Sequence, residues 1–122
     1  MHKIYKPTIL IDLDGVLNKY KGNYNKNFIP EINEGVVEFL EKMHLQNKYN
    51  LVLFTTRNLL LSAKWLIDNG IDKYFSDITN IKIPSILQID DRAICFKGDF
   101  KKLLNEIENF NVWYKNPQND II

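Results

Sequence analysis

Asp12 and Asp14 are the residues that most constrain what this chain does. They stand in Thr8-Ile9-Leu10-Ile11-Asp12-Leu13-Asp14-Gly15-Val16, where an apolar run breaks into Asp-x-Asp-Gly. Residues two apart in an extended segment point to the same side. Both carboxylates can therefore face one small volume beyond the end of a strand, and Gly15 permits a sharp exit there. A divalent cation and a phosphate suit such a volume. Thr55 follows a second apolar run, Leu51–Phe54, and Asp90 and Asp91 follow a third, Ser85–Ile89. One polar ending of this kind arises readily by chance. Three converging on one edge are much harder to read as surface decoration.

Together these groups suit phosphoryl transfer. A carboxylate can attack phosphorus, splitting hydrolysis into two easier steps through an aspartyl-phosphate. Mg²⁺ prefers oxygen ligands and is commonly held by one or two carboxylates with phosphate and water. Asp12 and an acid of the Asp90-Asp91 pair can supply them, and the ion would screen Asp12 from the phosphate anion. Asp14 is spaced to protonate the leaving oxygen and then to deprotonate the attacking water. Thr55 can hydrogen-bond a phosphate oxygen, and Lys82 can bind phosphate as a point charge. Each residue also has a plainer reading. Asp-Gly favours turns, Thr55 can cap a helix, Lys82 can be a solvated loop lysine, and Asp90-Asp91 can form a turn. Their joint occurrence favours the chemical reading. Arg57 and Arg92 either contact substrate or pair with the surplus carboxylates, pairing being the expectation for Arg92. His44 and Cys95 read as structural residues facing the core. Trp65 and Trp113 read as packing residues rather than platforms for bases.

The elements that must position these groups alternate between strand and helix. Thr8–Asp12 reads as a strand and 17–28 as a polar loop. From 33 to 46, Val36, Val37, Leu40 and Met43 follow helical spacing. After the second strand, Asn58 caps a helix with Leu59, Leu60, Ala63, Leu66 and Ile67 on its apolar face, stopped at Gly70. A short strand is expected within 74–81 and another at 85–89. Asp99 caps a last helix carrying Phe100, Leu103, Leu104 and Ile107, and the tail from Asn111 onward is ambiguous. Apolar runs without alternation, separated by amphipathic helices, predict a three-layer α/β/α, Rossmann-like fold around a mainly parallel sheet. Its ligand site should lie beyond the carboxyl ends of the strands.

The chain has 122 residues, 45% of them hydrophobic, which fits a single domain spanning 1–122 with a real core. Sixteen basic and fifteen acidic residues leave a net charge of +1, which does not indicate a broad nucleic-acid or membrane surface. One cysteine excludes an internal disulfide. The segment Met1–Pro7 lacks the apolar core of a signal peptide, and no apolar stretch approaches the length of a membrane span. A cytoplasmic location is the expectation.

In its motifs the chain resembles the haloacid dehalogenase superfamily of Mg²⁺-dependent phosphohydrolases. The resemblance covers about Thr8 to Phe110 in order and spacing: Asp12-Leu13-Asp14-Gly15-Val16, then Thr55, then Lys82, then Asp90-Asp91. It implies Asp12 as nucleophile and Asp14 as general acid and base, with the Asp14 backbone carbonyl on the metal. Asp91 would ligate Mg²⁺ directly, with Asp90 as a supporting or alternative ligand. Ile89-Asp90-Asp91-Arg92-Ala93-Ile94 also looks like small capless members. Thr56 stands where many relatives carry Gly and is expected to line and narrow the approach to phosphate. Ile83 separates Lys82 from Pro84, where many small relatives have Lys-Pro directly, and Lys73 is the competing lysine.

Neither 14–55 nor 55–82 has room for a folded cap domain. The 17–28 loop can serve as a small flap, with Tyr20, Tyr24 and Phe28 on its substrate side. An open site would admit a phosphorylated macromolecule end, whereas a neighbouring subunit could close it over a small sugar phosphate or nucleotide. Three functions stand at this point. They are a Mg²⁺-dependent phosphomonoester hydrolase, a noncatalytic binder of a phosphorylated ligand, and an end-healing nucleic-acid phosphatase.

Overall fold

β1 (Thr8–Asp12) is the axis of the computed structural model, which describes residues 5–114. It pairs in parallel with β2 (Asn50–Phe54) on one side and with β4 (Leu87–Ile89) on the other. β3 (Asp77–Thr79) lies parallel outside β2, giving the order β3-β2-β1-β4. Helices α1 (Val36–Gln46) and α2 (Leu59–Asp68) pack on this sheet, and α3 (Phe100–Glu108) follows β4. The fold is α/β with an all-parallel sheet and no large cap, as the alternation of elements predicts.

Both faces of the central strands are covered. Ile9, Ile11, Leu51 and Leu53 point to one face, where they join Val36 and Leu40 of α1, Trp65 and Leu66 of α2, and Ile71 in a single core. Leu10 and Val52, one residue out of phase, are buried on the opposite face. This is why the strands read as unbroken apolar runs rather than as alternating ones.

Several expectations are corrected. α1 begins at Val36 rather than at Asn33, because Gly35 takes φ +86°. Asn33 is used elsewhere, its amide donating to the carbonyls of Val16 and Asn18. α2 is capped by Asn58, whose side-chain oxygen accepts from Leu61 N–H at 3.0 Å. It buries Ser62, Trp65 and Leu66, while Leu60 and Ile67 of the expected face are exposed. Ser62 can be buried because its hydroxyl donates to Asn58 O, and Trp65 because its indole donates to Pro30 O. Trp65 is thus the packing residue expected. His44 is exposed rather than core-facing, its ring edge-on to Tyr74. Cys95 is exposed too, since 93–98 forms no strand that would bury it. Asp99 caps α3 as expected, accepting from Lys101 and Lys102 N–H. Among the described residues no helix is long and apolar enough to cross a membrane. The readings made on Met1–Ile4 and on the tail beyond Tyr114 lie outside the described residues.

After β3 the chain returns across the sheet to pair on the far side of β1. The order therefore reverses between β1 and β4, and in such a sheet the crevice beyond the strand ends at this point is the favoured ligand site.

Candidate active site

Asp12 is the last residue of β1, and Asp90 and Asp91 directly follow β4, so the two strands flanking the switch point deliver three carboxylates to one spot. One oxygen from each of Asp12, Asp90 and Asp91 lies within 4.8 Å of the other two. They form the floor of a cleft of about 550 Å³ that is also lined by Asp14, Tyr20, Tyr24, Phe54, Thr55, Thr56 and Arg92.

Asp12 pays electrostatically for this placement. Burial, then repulsion from Asp90 and Asp91, push its carboxyl up to about 8. Asp91 is shifted upward as well, first by burial. The Asp91 side chain is only 2% exposed, and its Oδ2 is buried without a hydrogen-bond partner. Arg92 Nε stands 4.0 Å away, too far for a hydrogen bond. A buried, unpartnered carboxylate oxygen beside two more carboxylates wants a cation. Three hard oxygen donors, with an open cleft left for water and phosphate, fit Mg²⁺.

Between β1 and the flap the chain makes one wide turn from Leu13 to Leu17, closed by Asn18 N–H to Leu13 O at 3.3 Å. Gly15 takes φ +83° there. A Cβ on Gly15 would stand 2.7 Å from Asp91 Cγ, so the turn and the carboxylate occupy adjoining space only because no side chain intervenes. Gly15→Ala is expected to lose about 2–3 kcal/mol of stability through positive φ and overlap combined. It should also weaken Mg²⁺ binding, because Asp91 must move. Urea unfolding and calorimetric titration read the two effects separately.

Asp14 leaves the turn on the flap side. Arg57 Nε donates to both of its oxygens, at 2.8 and 3.0 Å, and Asn18 Nδ2 donates to Oδ1 at 3.0 Å. The Arg57 side chain is 1% exposed. Its NH1 donates to Asn25 O at 2.8 Å, which ties the flap to the same guanidinium. Asn18 is fully buried, and its Oδ1 accepts from Gly15 N–H and Tyr20 N–H. Arg57→Leu should cost about 3 kcal/mol, since it strands Asp14 and a flap carbonyl. Arg57→Lys should recover little, because an ammonium cannot reproduce the fork. Chemical denaturation of the two variants checks this.

Of the expected residues, Asp12, Asp14, Thr55, Thr56, Asp90 and Asp91 line the one cleft. Thr55 is buried, and its Oγ1 accepts from Arg57 N–H at 3.1 Å, which leaves its own hydrogen free to donate into the cleft. Thr56 is exposed at the rim. Lys82 is exposed in the helix-free connection from β3 to β4 and does not line the cleft. Lys73 does not line it either and lies over the Tyr74 ring. Tyr20 and Tyr24 face the cleft as expected, whereas Phe28 is exposed away from it.

No family model matches the chain, and no curated protein matches it. Among solved structures it is similar to a conserved protein of Bacteroides thetaiotaomicron, at 22% identity and a TM-score of 0.55, over 92% of this chain and all of that one. It is also similar to an uncharacterized protein of Listeria monocytogenes serotype 4b, at 20% identity and a TM-score of 0.50, over 84% of this chain and 61% of that one. At these identities the likeness is one of fold, and it agrees with the α/β architecture described above.

Asn18, Asn33 and Asn25 are the supporting residues that sequence reasoning missed. All lie in or near a stretch whose Asn and Lys content reads only as a loop. Trp113 is corrected as well. It is 66% exposed rather than packed, and its indole donates to Gly15 O at 2.7 Å, tying 98 residues of separation to the turn beside Asp14. Arg92 pairs with a carboxylate as expected, at the long distance of 4.0 Å from its Nε to Asp91 Oδ2. Its guanidinium lies over Tyr20, 5.3 Å from the ring centroid, and donates to Tyr114 Oη at 3.2 Å.

Proposed function

We propose that this chain is a Mg²⁺-dependent phosphomonoester hydrolase of the haloacid dehalogenase type, with Asp12 as nucleophile. The observation that carries this reading is the cluster of Asp12, Asp90 and Asp91 oxygens at the switch point, with Asp91 Oδ2 buried and unpartnered. Asp12, Asp90 and Asp91 would hold the ion, joined by the Asp14 backbone carbonyl. The bound ion would neutralise charge on the carboxylates and the phosphate.

An Asp12 oxygen attacks phosphorus, and the bond from phosphorus to the leaving oxygen breaks. Asp14 gives that oxygen a proton. Asp14 then takes a proton from water as the water attacks phosphorus, the bond to Asp12 breaks, and inorganic phosphate leaves. Thr55 donates its hydroxyl hydrogen to a phosphate oxygen, and Thr56 borders the entry. Asp14 must turn from Arg57 to reach the leaving oxygen. Lys82 would need the β3–β4 connection to move before it could contribute, so the phosphate-binding set rests first on Thr55. A cytoplasmic location belongs to the same proposal, in keeping with a single, exposed Cys95.

The Arg57–Asp14 pair favours one second reading. A carboxylate held at both oxygens by a buried guanidinium suits a scaffold, and a noncatalytic binder of phosphorylated ligands would keep the fold and the metal site. The test is phosphate release from sugar phosphates, nucleotides and phosphorylated oligonucleotides, with and without Mg²⁺. Metal-dependent release establishes the hydrolase. Binding of phosphorylated ligand without any release establishes the binder.

A further inference from the structure

Resting on the hydrolase reading, we infer that the leaving group is a nucleoside and that Tyr24 is the surface on which its base stacks. Tyr24 lies with its ring centroid 4.7 Å from Arg57 Cζ. That guanidinium is fixed by Asp14 and by Asn25 O, so the ring is supported from one side. Tyr24 is nevertheless 56% exposed and lines the cleft. A large aromatic side chain held on one face and open on the other is a ready platform, because the entropy of ordering it is already spent.

The position of the platform identifies the part of the substrate it meets. Arg57 holds both Tyr24 and Asp14, and Asp14 is the group that serves the leaving oxygen. Tyr24 is thus joined through Arg57 to the group that serves the leaving oxygen, and it lines the same cleft as Asp90 and Asp91. In a nucleotide one pentose separates phosphate from base, which suits a polar floor beneath an aromatic wall. Tyr20 lines the same cleft and carries Arg92 over its ring. A cation on one face draws electron density from the ring. The other face then favours an electron-rich heteroaromatic plane over the C–H bonds of a bare sugar. Arg92 is the only cation among the described residues that line the cleft, which argues for a single nucleotide over a long phosphodiester track.

The experiment compares nucleoside monophosphates with ribose 5-phosphate and with a 5′-phosphorylated tetranucleotide, in Mg²⁺, for wild type, Tyr24→Leu and Tyr24→Phe. The expected KM for nucleotides is about tenfold below that for ribose 5-phosphate. That gap should close in Tyr24→Leu and persist in Tyr24→Phe. Equal KM values in the wild type, or a gap that survives Tyr24→Leu, overturn the platform while leaving the hydrolase intact. Preference for the tetranucleotide by more than about tenfold overturns the single-nucleotide assignment. If nothing is hydrolysed, NMR titration with the same nucleotides still decides. Base-dependent binding lost in Tyr24→Leu upholds the platform and removes the hydrolase, and its absence removes both.

α3 lies outside the cleft and has an unfilled face of its own. Phe100, Leu104 and Ile107 line one side of it and are 74, 62 and 57% exposed, and no residue of α3 is buried. A nine-residue helix is marginal without packing. We propose that a second copy of this chain covers it, the two α3 helices pairing antiparallel about a two-fold axis. The charges support that occupant. At 100° per residue Lys101 and Glu108 fall on the same flank of the apolar stripe, one at each end. Antiparallel pairing sets Lys101 of each copy against Glu108 of the other, which is the self-complementarity a two-fold interface requires.

Sedimentation equilibrium should find a dimer that Leu104→Asp converts to monomer. Lys101→Glu should weaken it and Lys101→Glu/Glu108→Lys restore it. A wild-type monomer at tens of micromolar, or a dimer indifferent to Leu104→Asp, overturns the proposal. Failure of the double variant to restore what the single one weakens overturns the antiparallel arrangement.

Discussion

Asp12→Asn is expected to abolish turnover and, at the same time, to stabilise the metal-free protein. Loss of the attacking oxygen should lower kcat by at least about a thousandfold. The stability gain follows from the charge at the cleft floor. Asp12 has an ordinary value of 3.8 and is raised to about 8 by burial and by Asp90 and Asp91. Below the ordinary value the carboxyl is neutral in both folded and unfolded chains. Between that value and about pH 8 only the unfolded chain gives up the proton, so stability of the metal-free protein falls as pH rises, then levels off. An amide in place of the acid removes that penalty. Allowing for solvent at the open side of the cleft, the gain at pH 8 should be roughly 2 kcal/mol, or about 10 °C in Tm, and should vanish near pH 4. Thermal unfolding in chelator across that range, beside a phosphate-release assay, measures both effects. A variant that loses activity but is no more stable than wild type at pH 8 would mean that Asp12 is not crowded by its neighbours. A variant that keeps turnover would remove Asp12 as nucleophile.

Much of this site was legible because its parts sit where strands end. An apolar run that stops at Asp12, Thr55 or Asp90-Asp91 declares both the strand and its terminus. Parallel strands then bring the termini to one edge without further information. The supporting contacts are a different matter. Arg57 could be read as substrate contact or as ion pair, and it is the tertiary path of 17–28 over the cleft that gives it Asp14, Asn25 O and Tyr24 as partners. The burial of α2 escaped the pattern because Leu59, Leu60, Leu66 and Ile67 form a single apolar stripe, whereas the helix turns the neighbouring face, Ser62, Trp65 and Leu66, to the core. The deciding residues were Ser62 and Trp65, whose polar atoms find acceptors at Asn58 O and Pro30 O. Trp113 was unreadable for a related reason, since its partner is a backbone carbonyl with no signature in the sequence. Lys82 shows the opposite failure. It was matched by order along the chain, and the structure leaves it exposed outside the cleft because 80–86 crosses back to β4 without a helix to hold it over the carboxylates.

Mg²⁺ affinity should rise steeply with pH, and binding should release protons. With Asp12 raised to about 8, the floor of the metal-free cleft holds a proton at neutral pH that an incoming cation must displace. One proton released per ion makes the apparent association constant climb about tenfold per pH unit, hence about a hundredfold from pH 6 to pH 8, and flatten above it. Asp91 is raised as well and shares its surroundings with Asp12, so the two titrate as a pair and the slope should lie between one and two protons. Calorimetric titrations with Mg²⁺ in two buffers of different ionisation enthalpy give the proton count directly. In Asp12→Asn the count should fall by about one and the remaining pH dependence should belong to Asp91. Flat affinity between pH 6 and pH 8 would mean that all three carboxylates are already ionised without a cation. Burial and mutual repulsion would then not be what makes this cleft a cation site, and the unpartnered Asp91 Oδ2 would need another ligand.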